Sequence, residues 1–489
     1  MKQGRSNTLL RLRVVILSFV LLASALRCPS YPQQKFVNGP TDPKELETFV
    51  GKIFTEQMER QHIPGAEFVF VKDGRIFFSK GYGFANLERQ QPVVPEQTIF
   101  RIGSISKVFT ATAVVQLADR GRLKLHTDVN RYLKKLKVPE TFPESVTPAH
   151  LITHTAGFDE IRPGTQGPSA ESVLPLADFL STRLKRISPA GETIAYSTYG
   201  ITLAGLLVEE VSGISFESYL AKNIWKPLSM NRTSITVPAT SKNDLALGYE
   251  YVNGVNQPQA YEWYHTTPAS SINSTAMDMA RFMIAQLQNG RLGHARIMTE
   301  RAALNMHRQH ATGRAGMPGV AYGFFEDDYQ GLRIIEHGGN MAGFSSQMVL
   351  LPERNAGFFM VNHHENSNLR DTIKWALLEH YYPPQHPPRI PQPPSDFNQR
   401  AALFIGTYRW NTYCRTCGPR PIPPGHSVKV TSNPDGTLSL SSTKKRWIEL
   451  EPLLFIREDG GGKIAFRMDR TGKVTHMFAG GFWVFEKTP

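Results

Sequence analysis

Three short motifs carry the residues whose types and spacing do chemistry. Ser104-Ile105-Ser106-Lys107 sets a serine three residues before a lysine. Tyr196-Ser197-Thr198 adds a tyrosine, and His337-Gly338-Gly339-Asn340 adds a histidine ahead of two glycines. A serine hydroxyl is a weak nucleophile until a neighbouring base takes its proton. A lysine does this when burial lowers its pKa. A tyrosine relays a proton to a leaving group, and backbone amides steady the oxyanion formed at an attacked carbonyl. Together the motifs describe one acyl-transfer site, with the amides of Ser104 and Asn340 as oxyanion donors.

Singly, each motif has a plain structural reading: an N-cap serine with a solvated lysine, a core aromatic, and a turn between strands. The same Ser-x-x-Lys spacing recurs at Ser441/Lys444 and Ser442/Lys445, in a polar turn. Context separates Ser104 from these decoys. It follows the apolar, strand-like Ile99-Phe100-Arg101-Ile102-Gly103 and opens a helix over 104–120, closed by Gly121 in a left-handed cap. One turn of that helix puts Ser104 and Lys107 on the same face. Tyr196 follows the turn Pro189-Ala190-Gly191-Glu192 and precedes a helix running to Val211. His337 ends a strand, and its two glycines let a substrate lie against the backbone.

The elements that must position these groups follow from periodicity. An amphipathic helix over 43–61 precedes a hairpin, 66–71 and 76–80, turning at Lys72-Asp73-Gly74. Residues 147–290 read as mostly helical, with the clearest helix at 278–287. Strands at 332–336, 345–351 and 357–361 come next, then a helix at 368–382. The fold class is α/β (α+β): an antiparallel sheet flanked by helices, with an all-helical subdomain. Seven prolines between Pro383 and Pro394 mark 383–395 as a stiff linker. Beyond it, 396–489 alternates through roughly eight short strands, the pattern of a small antiparallel barrel.

The motifs together resemble the serine β-lactamase and penicillin-binding-protein family, in its branch of class C β-lactamases, D-aminopeptidases and carboxylesterases. The resemblance runs over about 43–382. It also takes in Pro64-Gly65-Ala66, Tyr82-Gly83-Phe84-Ala85-Asn86, Leu151-Ile152-Thr153-His154-Thr155-Ala156-Gly157 and Gly343-Phe344-Ser345. The C-terminal part resembles the lipocalin-like barrels appended to some members. The resemblance implies that Ser104 is acylated, that Lys107 is its base and that Tyr196 assists protonation of the leaving group and activation of water. It implies that Thr198, His337, Gly338, Gly339 and Asn340 line the substrate, with His337 meeting a carboxylate or polar tail. His154 is read as holding a turn.

Two departures stand out. Thr198 occupies a position where the family usually carries asparagine, whose amide binds a substrate carbonyl and steadies the lysine. A threonine hydroxyl is shorter and offers less. His337 replaces the frequent lysine, and a neutral imidazole holds a carboxylate more weakly. Both lean away from β-lactam hydrolysis and toward esters or D-amino-acid amides and peptides. The alternatives are a β-lactamase or D-alanyl-D-alanine carboxypeptidase, and a non-catalytic penicillin- or cell-wall-binding protein.

Bulk features bound the rest. With 40% hydrophobic and 20% charged residues, 489 residues suffice for one large domain and a smaller one. The formal charge is +13; four of the cations lie in residues 1–25, which hold no acid, so the remainder carries +9. That excess suits contact with a cell-wall polymer or membrane surface. No long basic run or aromatic-basic motif supports nucleic-acid binding. Residues 1–25 read as a cleavable export signal: basic Lys2 to Arg13, an apolar run at 14–26, and Ala23-Ser24-Ala25 for cleavage. The mature chain is therefore expected to be secreted or periplasmic, or anchored if the signal is uncleaved. Cys414 and Cys417 read as a small disulfide staple or as nothing. No metal or organic cofactor is expected: His363-His364-Glu365 and His307-x-x-His310 lack a metal-ligand spacing and read as solvated histidines. Asn231 and Asn273 head glycosylation sequons. The partner expected is a small-molecule or peptide substrate with an acyl group, and the barrel is expected to wall the cleft.

Overall fold

The computed structural model describes residues 39–365, 367–384, 389–418, 421–423 and 425–488. The export signal, Cys28 and residues 385–388 of the linker lie outside them.

Helix α1 (Pro43–Gln61) starts where Asp42 accepts a hydrogen bond from the Lys44 amide and a proline fills the first turn. Leu46, Val50 and Phe54, four residues apart, form its buried stripe. Strands β1 (Gly65–Lys72) and β2 (Arg75–Asn86) follow, joined through Asp73 and Gly74, both at positive φ as a two-residue hairpin requires. β2 runs past its expected end because Tyr82-Gly83-Phe84-Ala85-Asn86 continues the ladder to β3 (Gln91–Pro92).

Four late strands complete the sheet: β4 (Phe325–Tyr329), β5 (Leu332–Met341), β6 (Phe344–Leu351) and β7 (Ala356–Asn362). The order is β4-β5-β6-β7-β1-β2-β3, antiparallel throughout. β1 shows why its sequence is a near-continuous apolar run. Phe68 and Phe70 pack under α1 on the outer face, while Val69 and Val71 join the core on the other.

That inner core is built around α2 (Ser106–Asp119), whose residues from Ser106 to Leu117 are all buried. A helix apolar all round belongs inside a protein. Against the inner core lie α3 (Thr198–Ser212), from the helical subdomain, and α4 (Ala276–Leu287). The outer face is closed by α1 and α5 (Leu369–Tyr381). No single helix among the described residues is long and apolar enough to cross a membrane.

Eight strands between Gly406 and Lys487 close into a barrel, the first pairing with the last at Tyr408–Lys487, Arg409–Glu486 and Trp410–Phe485. Phe404, Tyr408, Phe455 and Phe466 pack inside it, mostly edge to face. Closure leaves no free edge. Cys414 and Cys417 are disulfide-bonded in the loop after its first strand. The decoy pairs at 441–445 sit in a turn between its third and fourth strands.

The barrel packs onto the main body. Leu454, Ala465, Phe478 and Val484 share one apolar cluster with Ile194, Met317, Val320 and Phe325. Asn411 Nδ2 donates to the Ile194 carbonyl at 2.8 Å, and the Gly481 amide donates to that of Glu326 at 3.2 Å.

Candidate active site

The helix expected from residue 104 starts at Ser106; residues Gly103–Ile105 form a tighter 3₁₀ turn. In such a turn residues i and i+3 eclipse, which suits the meeting of Ser104 and Lys107. Lys107 Nζ donates to Ser104 Oγ at 3.0 Å and to the Ala269 carbonyl at 2.9 Å. Tyr196 Oη donates to the same Ser104 Oγ at 2.8 Å, and Lys107 Nζ lies 4.9 Å from the centre of the Tyr196 ring. Ser104 itself is half-buried and stays reachable.

Lys107 is 1% exposed. Burial pushes its pKa down to about 7; Glu160 opposes that shift and Arg162 adds to it. Burial also raises the Tyr196 phenol well above its usual range, so it remains a proton donor.

Tyr196 is held from behind. His154 sits at φ 56°, its Nδ1 accepts the Ser197 amide at 3.1 Å, and its carbonyl accepts the Ala195 amide. An amide can only donate, so the proton of neutral His154 is on Nε2. Its role thus extends beyond its own turn: it fixes the tyrosine motif. Ser197 caps α3 by accepting the Gly200 amide at 3.0 Å. The Thr198 amide donates to Glu160 Oε2 at 2.9 Å, so the buried Glu160 carboxylate stands behind the residue that takes the family asparagine's place.

β5 lies along the catalytic turn. Gly339 is required there, since a Cβ would sit 2.3 Å from the Ile102 carbonyl and 3.0 Å from the Ser104 amide nitrogen. A Cβ on Gly103 would lie 3.3 Å from the Asn340 amide nitrogen. The Ser104 and Asn340 amides therefore converge across this glycine contact, as an oxyanion hole requires.

His337 does not present a cation to solvent. It is buried between Phe325 and Tyr196, and burial, with Lys107 nearby, pushes its pKa down to about 3. Its Nδ1 donates to the Gly338 carbonyl at 2.7 Å, so Nε2 carries a lone pair. Nε2 of His337 and of His154 has no hydrogen-bond partner among the described residues.

Sequence reasoning missed three features. Glu160, buried beside the lysine, directly follows the His154 turn as one of two consecutive acids. Arg370, one residue into α5, donates to Asn340 Oδ1 at 3.0 Å and puts a half-exposed cation at the strand edge. From the barrel, the Phe482 ring lies 5.5 Å from that of Tyr196 and 4.6 Å from that of Phe325. Both phenylalanines also line a cavity of about 710 Å³ between β4 and the barrel, whose wall mixes Trp447 and Trp483 with charged groups such as Arg333, Asp327 and Glu336. Alternation along the barrel sequence marks strands, Phe482/Val484 among them, but not which side chain reaches the main body.

The histidines set aside as solvated are in part core groups. His363 Nδ1 bonds the Leu247 carbonyl and packs on Phe100, and His307 bonds Gln286 Oε1 at 3.0 Å. Aromatic and amide neighbours make these buried sites comfortable for a neutral ring. Asn273 is also buried, bonded to the Ile235 carbonyl, so of the two sequons only Asn231 is exposed.

A half-buried serine bonded by a buried lysine and a half-buried tyrosine, beside a glycine-lined strand of an antiparallel sheet, defines the penicillin-recognising class of fold. The chain belongs to the beta-lactamase family, whose model matches residues 50–381. It is similar to protein flp of Staphylococcus aureus strain N315, 26% identical over 345 residues, covering 68% of this chain and 65% of that protein. A beta-lactamase of Escherichia coli K12 is 29% identical over 247 residues, 50% of this chain and 62% of that one. The chain thus spans somewhat less than two thirds of the length of these relatives. Among solved structures, the octameric penicillin-binding protein homologue from Pyrococcus abyssi superposes with a TM-score of 0.60 at 23% identity, over 91% of this chain and all of that one. A class C beta-lactamase gives the same score and identity over 70% and 97%. At these identities the structures speak for the fold.

Proposed function

We propose that the protein is an exported serine hydrolase that forms an acyl-enzyme on Ser104 and hydrolyses esters or D-amino-acid amides and peptides. The observation that carries this reading is one oxygen, Ser104 Oγ, bonded at 3.0 Å by a buried lysine and at 2.8 Å by a half-buried tyrosine.

With a pKa of about 7, Lys107 is substantially neutral at physiological pH. Its lone pair takes the Ser104 proton as Oγ attacks the carbonyl carbon, and the oxyanion is met by the Ser104 and Asn340 amides. Collapse expels an alcohol or amine, which takes a proton from Tyr196, and the Lys107 ammonium restores that proton. Water then adds by the reverse relay, and Ser104 is released. The residues used require no metal or organic cofactor. Phe325 and Phe482, packed beside Tyr196, suit an apolar acyl or leaving group. The disulfide in the barrel supports an oxidising compartment, in keeping with the signal-like N-terminus.

Arg370 favours a second reading, a β-lactamase or D-alanyl-D-alanine carboxypeptidase, because it offers a substrate carboxylate the cation that His337 does not. Intact mass after exposure to p-nitrophenyl acetate and, separately, to penicillin G tests both, on wild type and Ser104→Ala. Release of p-nitrophenol that vanishes in the variant, without a penicillin adduct, supports the ester reading. A penicilloyl adduct on Ser104 that turns over supports the second, and one that persists supports a penicillin-binding role. No reaction with either sinks the assignment of the nucleophile.

A further inference from the structure

The family's usual asparagine is absent at Thr198, yet its neighbourhood is not empty. The Thr198 amide donates to the carboxylate of buried Glu160 at 2.9 Å, and the charge of that carboxylate reaches Lys107. Glu160 is itself placed by Asp159, whose Oδ1 accepts the Glu160 amide at 3.1 Å. Asp159 is fully buried and is gripped from the barrel. Its carboxylate accepts the Arg415 amide at 2.8 Å, the Thr416 amide at 3.0 Å and the Thr416 hydroxyl at 2.7 Å. Arg415 and Thr416 are the two residues enclosed by the Cys414–Cys417 disulfide. A turn closed at both ends holds its amides toward an anion with little entropy left to lose.

We propose that Glu160 is a positioning residue for Lys107, standing in for the missing asparagine, and that the disulfide-closed turn of the barrel anchors it through Asp159. The proposal rests on the acyl-transfer reading above. It makes the barrel part of the active-site machinery.

The chemistry asks for such a group. A buried lysine with only neutral partners becomes so weak a base that proton transfer from serine loses driving force. A nearby carboxylate stabilises the ammonium that forms when Lys107 takes the proton. The groups facing Lys107 are Ser104, Tyr196, Glu160, Arg162, His154 and His337; of these Glu160 alone carries a carboxyl group. Those facing Glu160 are Thr198, Lys107, Arg162, Asp159 and the phenols of Tyr196 and Tyr199.

The sign is fixed. Glu160 raises the Lys107 pKa, so removing its charge leaves more neutral lysine at acid pH. In Glu160→Gln, which keeps an oxygen for the Thr198 amide, the acid limb of kcat/KM for p-nitrophenyl acetate should move to lower pH. The ratio of kcat/KM at pH 6 to that at pH 8 should rise about threefold or more, while the plateau falls roughly tenfold. Glu160→Asp should keep the acid limb near that of wild type. Thr416→Val, on the exposed barrel turn, should shift it in the same direction as Gln but less, and carries the test should the Gln variant fail to fold. A uniform loss at every pH in Glu160→Gln, or an equal shift in Glu160→Asp, overturns the role of the charge. An unmoved limb in Thr416→Val overturns the anchoring by the barrel. Failure of wild-type Ser104 to react with a fluorophosphonate probe would instead sink the acyl-transfer reading.

Discussion

Two lysines of this chain are buried to nearly the same depth and meet opposite fates. Lys107 is 1% exposed and Lys374 is 4% exposed. Lys107 donates to a hydroxyl and a carbonyl, and burial drives its pKa down to about 7. Lys374, on α5, meets Asp327 at 2.6 Å and Glu336 at 2.7 Å, and those carboxylates hold its pKa above the usual range despite burial. Depth therefore sets the size of the desolvation penalty, and partners decide whether the charge survives it. One strand serves both lysines. Glu336 and His337 are consecutive on β5 and point to opposite faces, one toward Lys374 and the other toward Lys107.

The comparison is broken most severely at Lys107. Lys107→Arg keeps a cation that cannot deprotonate. It should cut kcat/KM for p-nitrophenyl acetate by about 10³-fold, about 4 kcal/mol of barrier, with the protein still folded by circular dichroism. Retention of more than a tenth of the activity would mean that another group is the base. The converse change, Lys374→Met, strands two carboxylates. Denaturant titration should show a loss of about 3 kcal/mol, while activity per folded molecule stays within roughly twofold.

A third test uses the linkage of charge to folding. The folded pKa of Lys107, about 7, lies below its ordinary 10.5. Between those values the unfolded chain holds more protons, so this group makes stability rise with pH. Lys374 has the opposite sign: its folded pKa is raised, so its contribution is intact below pH 10.5 and is lost as pH climbs past it. Lys107→Met should thus stabilise the fold at pH 7, by on the order of 2 kcal/mol, with a gain that shrinks toward pH 9.5. A gain that is flat in pH would show that Lys107 is not titrating in the folded state.

The two lysines also mark what a sequence discloses. The meeting of Ser104, Lys107, Tyr196 and the glycine strand is legible because each is carried by a local signal: a serine opening a helix, a turn before a helix, two glycines ending a strand. The order of strands and helices was legible from periodicity. What was not legible lies in contacts between distant segments. Asp159 is held by residues more than 250 positions away, and the apolar cover of Tyr196 comes from Phe482. The burial of His337 is likewise not legible: its ring packs on Phe325 and Tyr196, and Phe325 packs in turn on Phe482 of the barrel. Nothing in the immediate neighbourhood of a histidine in sequence tells how much protein will be stacked on it.

That cover supplies the finest test. Phe482 packs on the Tyr196 ring, and the same ring lies 4.9 Å from Lys107 Nζ. Burial is the first cause of the lowered lysine pKa, and Phe482 covers the tyrosine that packs beside that lysine. Truncation in Phe482→Ala opens a path for water toward Tyr196 and reduces the desolvation penalty. The Lys107 pKa should then rise, and the acid limb of kcat/KM should move to higher pH, the reverse of its movement in Glu160→Gln. At pH 7 the rate on p-nitrophenyl acetate should fall about twofold to threefold, and longer acyl esters should gain relative to acetate as the wall recedes. Opposite displacements in the two variants would separate solvent exclusion from charge pairing at a single lysine. Displacement in the same direction would mean that the barrel acts on Lys107 only by placing Glu160, and the apolar wall would lose its electrostatic role.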